Sequence, residues 1–128
     1  MKWWLRVVGG FYLLLVAGSF LVLFINPRLF GDMFPYSANE TAMRAFSDAW
    51  LIFVLEMLLL GIIMLYASRK LERNGILVLS IAILELVRGA GGDLLWMARG
   101  FPTTNYIPFM IVHIIIAVTG IFSFRRNQ

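Results

Sequence analysis

The sequence contains no cysteine and only one histidine, His113. Without cysteine, the chain cannot form disulfide bonds, use a thiol nucleophile, or bind zinc or iron–sulfur clusters through thiolates. With a single histidine, a metal site would have to rely on carboxylates, and the Glu-x-x-His spacing of helical carboxylate sites does not occur. We therefore predict no metal site, and the residues point to no particular cofactor.

Charged residues are also scarce. Asp, Glu, Lys and Arg make up 14% of the 128 residues, and hydrophobic residues make up 61%. Soluble domains carry about 25% charged and roughly 45–50% apolar residues, so both values are typical of a membrane protein. The net charge of +4 does not indicate nucleic-acid binding, because the basic residues lie at the ends of apolar runs, where they determine membrane topology.

Four apolar runs reach the length of about 20 residues that a helix needs to cross a bilayer. They predict an all-α integral membrane protein with one domain over residues 1–128, folded as an antiparallel, left-handed four-helix transmembrane bundle. The predicted spans cover residues 5–25, 48–68, 75–97 and 108–124. The first run could also be a signal peptide, but it is longer than the apolar region of about 7–15 residues that such peptides carry.

The segments that flank the spans carry local signals. Residues 38–50 are good helix formers with Asn39 or Ser37 as candidate N-cap, and they predict either a short extracytoplasmic helix after the first span or an early extension of the second. Pro108 is suited to the first turn of the fourth span. The first span begins with aromatic residues suited to a membrane interface: Trp3, Trp4 and Tyr12.

The lysine and arginine distribution predicts the orientation. One side of the membrane would hold both termini and the turn at 69–75, with the basic residues Lys2, Arg6, Arg69, Lys70, Arg73, Arg125 and Arg126. The other side would hold only Arg28, Arg44 and Arg99. Because cytoplasmic loops carry the excess of basic residues, we expect both termini in the cytoplasm.

The third span contains an unusual stretch, Glu85-Leu-Val-Arg88-Gly89-Ala90-Gly91-Gly92-Asp93. A charged residue at that depth costs roughly 2.5–3.5 kcal/mol on insertion scales, so such residues face the bundle interior and take partners. Glu85 and Arg88 are three residues apart and can pair within the helix. Asp93 lies about 80° from Glu85 on the side away from Arg88. It therefore needs another partner, for which the candidates are His113, Arg99 and Asn105.

Ionisable residues of three spans fall at similar depths. We predict that they form one buried polar cluster, or ligand site, in the outer half of the membrane, with the members Glu56, Glu85, Arg88, Asp93 and His113. Small residues on the same faces predict close helix packing at Gly89, Gly92, Ala117 and Gly120. An open alternative is that the glycines unwind the third span, so that backbone groups line an enclosed cavity.

These residues carry a resemblance to a known group. The chain resembles the small four-span bacterial proteins called BphX-like, within the broader DoxX-like set. The matching pattern comprises Lys2-Trp3-Trp4-Leu5-Arg6, Ser47-Asp48-Ala49-Trp50, Glu56, Glu85-Leu-Val-Arg88-Gly89, Asp93, His113 and Arg125-Arg126. The resemblance covers nearly the whole chain and implies a four-helix bundle in a bacterial inner membrane. It implies no reaction, although some DoxX-like proteins are small subunits of respiratory or quinone-linked complexes.

Three functions fit these features. The favoured one is non-enzymatic: an accessory subunit or small-ligand-binding bundle, whose partners would be the lipid bilayer and a larger membrane complex, a second copy or a small lipophilic ligand. The alternative is a membrane enzyme, with Glu56, Asp93 and His113 as acids and bases on a lipid-soluble substrate and Arg88 binding an anionic group. The third is a proton or ion path, which the apolar inner halves of the second and fourth spans disfavour.

Overall fold

The computed structural model describes residues 1–25, 39–69 and 74–126. These segments are helical and contain no strand. The elements are α1 (Lys2–Phe24), α2 (Glu40–Ala67), α3 (Gly75–Leu84), a π-helical segment (Glu85–Ala90), α4 (Gly91–Ala98) and α5 (Thr103–Arg125). α3, the π-helical segment and α4 form one continuous helix, Gly75–Ala98. This helix, α1, α2 and α5 are each long and apolar enough to cross a membrane, so the prediction of an all-α fold with four such helices is confirmed.

The second helix begins earlier than the span predicted for it. α2 starts at Glu40 and runs without a break to Ala67, capped by Asn39, whose side chain accepts a hydrogen bond of 2.8 Å from the amide of Ala42. The early-extension alternative is therefore correct for residues 40–50, and a separate short helix over them is wrong. Ser37 and the rest of the connection, residues 26–38, lie outside the described residues.

The fourth helix also begins earlier than predicted. α5 starts at Thr103, so Pro108 lies inside the helix instead of in its first turn. The preceding chain reversal explains this start. The amide of Gly100, which has φ 92°, bonds to the carbonyl of Met97, and the amide of Phe101 bonds to the carbonyl of Trp96. This pair of bonds ends α4 as a Schellman motif and turns the chain directly into α5.

Helices α1 and α2 approach each other closely at two glycines. A Cβ atom on Gly9 would lie 3.1 Å from the carbonyl oxygen of Gly61, and one on Gly61 would lie 3.1 Å from that of Gly9. Such contacts bring two backbones together where larger residues would hold them apart. α5 packs along α3, the π-helical segment and α4, and α1 touches both α2 and α5.

The outer surface of the bundle is apolar on every helix. Residues more than half exposed include Leu14 on α1, Ile52 on α2, Ile76 on α3 and Val118 on α5. This is the surface expected of helices that contact lipid, because a helix in water would present polar residues outward. The handedness of the bundle stays a prediction.

Candidate functional site

The π-helical segment determines where the acids of the third helix point. A π turn closes a hydrogen bond one residue further along than an α turn, so it shifts everything after it by about one residue, or about 100° of rotation. That shift offsets the separation of about 80° that a regular helix would leave between Glu85 and Asp93. Both carboxylates consequently meet the same side chain of α5, His113. The helix is continuous here, so the alternative of an unwound third span is wrong.

Glu85 is the centre of the site and is only 4% exposed. Its Oε1 accepts a hydrogen bond from the hydroxyl of Tyr12 on α1, and its Oε2 lies 2.5 Å from Nδ1 of His113. Three helices therefore converge on one carboxylate. When the ring is neutral and Nδ1 carries the proton that it donates to Glu85, the other ring nitrogen, Nε2, is an acceptor.

Asp93 lies on the other side of the imidazole ring. Its Oδ2 is 3.7 Å from Nε2 of His113, which is too long for a hydrogen bond. This oxygen is buried and has no hydrogen-bond partner among the described residues, and the side chain is 13% exposed. His113, one of the three candidate partners of Asp93, is therefore nearby, but it makes no hydrogen bond to Oδ2 and leaves this acceptor unsatisfied. We call Tyr12, Glu85, His113 and Asp93 the histidine cluster.

The other two predicted members do not join this cluster. Arg88 forms an ion pair of 2.5 Å with Glu56 of α2, and its guanidinium lies 4.2 Å from the ring centre of Phe53. The pairing of Arg88 with Glu85 along the helix is therefore wrong, because Glu85 is taken by Tyr12 and His113. The side chains of Arg88 and Glu56 are 29% and 48% exposed, so this second group lies at the surface of the bundle.

The small residues pack closely at three of the four predicted positions. A Cβ on Gly89 would overlap the His113 ring, one on Gly120 would lie 2.8 Å from the Trp4 side chain, and Ala117 is fully buried. Close packing at Gly92 is wrong, because nothing lies within 4 Å of a Cβ built there. Gly92 follows the π-helical segment, so the same rotation that brings Asp93 inward turns it away.

An apolar groove runs beside the histidine cluster between α1 and α5. It has a volume of about 180 Å³ and is lined by Val7, Val8, Phe11, Val112, Ile115 and Ile116. Val8 lies four residues before Tyr12, and Ile116 lies three residues after His113, so each is one turn away on the same helix face. The groove therefore reaches to within about one helical turn, about 5 Å, of the polar side chains.

Aromatic rings close the end of the bundle at residues 98–103. Phe101 and Tyr106 are buried, the rings of Trp96 and Phe101 meet edge to face at 4.4 Å, and Trp96 stacks parallel to Tyr106 at 6.4 Å. Trp96 is three residues beyond Asp93 on the same helix. The histidine cluster thus lies between an apolar groove on one side and an aromatic group on the other.

Tyr12 is the site residue that the sequence did not identify. It was expected at a membrane interface, but it is 5% exposed and bonds to Glu85. One signal was present: Tyr12 lies ten residues into α1, or about 15 Å along it. A hydroxyl at that depth needs a partner inside the bundle.

The described residues include no group of three or more histidine or acidic side chains that could hold a metal ion. No protein-family model, curated protein or solved structure matches the chain. The resemblance to the BphX-like and DoxX-like proteins therefore stays a prediction, and the function has to be argued from the site itself.

Proposed function

We propose that this is a multi-pass protein of the bacterial inner membrane, with both termini in the cytoplasm, and that its histidine cluster binds a small lipophilic ligand. The four apolar helices and their exposed apolar surface support membrane insertion. The distribution of basic residues supports the orientation. In this orientation the end at residues 98–103 faces outward, and Asp93 lies in the outer half of the membrane.

The observation that carries ligand binding is the unsatisfied Oδ2 of Asp93. Leaving a buried acceptor without a partner costs about 1–3 kcal/mol, and such groups in native proteins call for an explanation such as a ligand or water. Nε2 of His113 is the second polar atom directed at the same place. A ligand group that bonds to both atoms would complete the cluster.

The chemistry of these atoms selects the kind of ligand. Asp93 offers an acceptor, and a neutral His113 ring that donates from Nδ1 to Glu85 offers another, so a ligand group that bonds to both should carry two donors, as a protonated amine does. An anionic head is disfavoured by two nearby carboxylates, and Arg88 is held by Glu56 elsewhere. The groove between α1 and α5 would take an apolar part of the ligand.

Acid–base catalysis is the second candidate, and one contact favours it. The 2.5 Å contact from Glu85 to Nδ1 of His113 fixes the ring as a carboxylate does for a catalytic histidine, with Nε2 free for proton transfer. The fate of the bound molecule distinguishes ligand binding from catalysis. A binding protein returns it unchanged, whereas an enzyme converts it.

The test is native mass spectrometry of the protein purified into nanodiscs from its own membrane. We expect a small bound molecule on the wild-type chain and on the control Asp48→Asn, which alters an exposed acid of α2, and its loss from Asp93→Asn. Retention by Asp93→Asn, or no bound molecule on the wild-type chain, would overturn the proposal. Attached foreign polypeptides without a small molecule would favour the accessory-subunit alternative.

A further inference from the structure

The Arg88–Glu56 ion pair lies far from both ends of the bundle and yet at its surface. Arg88 is 13 residues after the start of α3 at Gly75 and 10 before the end of α4 at Ala98, or about 20 Å and about 15 Å along the helix. The pair is therefore near the middle of a membrane that these helices would span. Charges at that depth are placed against protein or water-filled cavities and not against lipid.

The pair also has unused bonding capacity. A guanidinium carries five N–H donors, and within the described segments Arg88 uses one of them, on Glu56. Its flat face is covered by Phe53, but the side chain of Glu56 is 48% exposed. Neighbouring residues on the same face of α2 are strongly apolar and outward-facing: Ile52 is 70% exposed and Leu59 is 58% exposed.

We propose that this face of α2, formed by Ile52, Glu56 and Leu59 with Arg88 beside it, is the contact surface of a homodimer. A second copy in the same membrane orientation, related by a two-fold axis along the membrane normal, brings the same residues to the same depth. Arg88 of one copy then meets Glu56 of the other, and the two pairs form a square of alternating charges. Each guanidinium and each carboxylate then gains a second ionic partner, and the charges are removed from lipid.

Charge and depth are what favour a second copy over a different protein. A foreign helix would need an acid and a base at the matching depth, whereas the second copy carries both by symmetry. This inference rests on the proposed membrane insertion but not on ligand binding. Ligand binding and dimer formation are measured separately, so one of the two proposals can fail while the other holds.

The absence of cysteine makes the test direct, because any introduced cysteine is the only one in the chain. A disulfide requires Cβ atoms about 3.5–4.5 Å apart. A cysteine near the two-fold axis therefore cross-links to the same cysteine of the second copy. We expect oxidation in native membranes to convert Ile52→Cys or Leu59→Cys to a disulfide dimer at least about tenfold faster than the control Leu14→Cys. Leu14 is 70% exposed on α1 and lies outside the proposed face.

A charge exchange tests the contribution of the ion pair. In an Ile52→Cys background, Glu56→Gln should slow dimer cross-linking several-fold, and Glu40→Gln, which alters an exposed acid near the start of α2, should not. The double exchange Glu56→Arg with Arg88→Glu keeps the alternating charges and should restore the rate. Cross-linking at Ile52 and Leu59 no faster than at Leu14 would overturn the proposal. So would a photo-cross-linker at Ile52 that attaches to another polypeptide instead of a second copy.

Discussion

Gly89 lies directly against the imidazole ring of His113. A methyl group at Gly89 would overlap Cγ and Nδ1 of the ring, and it would come within 3.0 Å of Cβ. The absent side chain lets α5 approach the π-helical segment closely enough for Nδ1 to reach Glu85. A glycine that looks like a helix-packing residue therefore also positions the polar site.

Gly89→Ala should destabilise the protein and displace His113. Overpacking in a tight interior costs about 1–3 kcal/mol, which exceeds the gain of up to about 1 kcal/mol from replacing a helical glycine by alanine. Gly92→Ala is the matched control, because it lies on the same helix with open space around it. It should leave stability unchanged or raise it slightly in thermal unfolding in nanodiscs. Equal effects of the two substitutions would contradict the close contact.

Glu85 should contribute more to stability than any exposed acid. Its removal in Glu85→Ala leaves the Tyr12 hydroxyl and the His113 ring nitrogen unsatisfied, at about 1–3 kcal/mol for each buried group. Glu85→Gln retains a hydrogen-bonding group and should cost less. Glu40→Ala serves as control, since Glu40 is exposed in its ion pair with Arg44, and such pairs contribute little. Unfolding in mixed detergent micelles measures all three, and the order Ala > Gln > control in lost stability is expected.

Two adjacent glycines of α1 should respond differently to substitution by alanine. Gly9→Ala would place its Cβ 3.0 Å from Cβ of Met64 and 3.1 Å from the carbonyl of Gly61, whereas nothing lies within 4 Å of a Cβ on Gly10. We expect Gly9→Ala to lower stability by about 1–3 kcal/mol through overpacking and Gly10→Ala to have no such effect. The same unfolding assay decides. A loss of stability with Gly10→Ala alone would mean that α1 uses its other face against α2.

The helices could be predicted from sequence because their signal is strong and local. A run of about 20 apolar residues has few structural alternatives, and Asn39 is a good N-cap. The start of α5 was missed because Pro108 suggests a helix start, while the actual start depends on the Gly100 turn. The left-handed conformation of Gly100, with φ 92°, therefore has more influence on where α5 begins than the preference of Pro108 for a first helical turn.

The side-chain partners were harder to predict because they depend on rotation between helices. Assuming 100° per residue along the third span missed the π-helical segment, and so it placed Asp93 away from Glu85. It also favoured Arg88 as the partner of Glu85, whereas tertiary contacts give Glu85 to Tyr12 and His113. The sequence did identify five ionisable residues that need partners within the helix bundle. It could not divide them between a buried group and a surface pair.

Asp93→Asn should separate ligand binding from stability. The unpartnered Oδ2 of Asp93 lies 3.7 Å from Nε2 of His113, and both are acceptors when the ring is neutral and donates from Nδ1 to Glu85. An asparagine amide can place an N–H donor there. The protein without ligand should therefore be as stable as wild type, or more stable by up to about 1.5 kcal/mol, the contribution of one new hydrogen bond. Bound ligand should be lost, because the amide donor would face the donor of the ligand. Asp48→Asn should change neither property.

The measurements are thermal unfolding after removal of bound small molecules and native mass spectrometry before it. If Asp93→Asn instead lowered the stability of the ligand-free protein, Asp93 would be a structural partner of His113, and the unsatisfied oxygen would no longer support a ligand site.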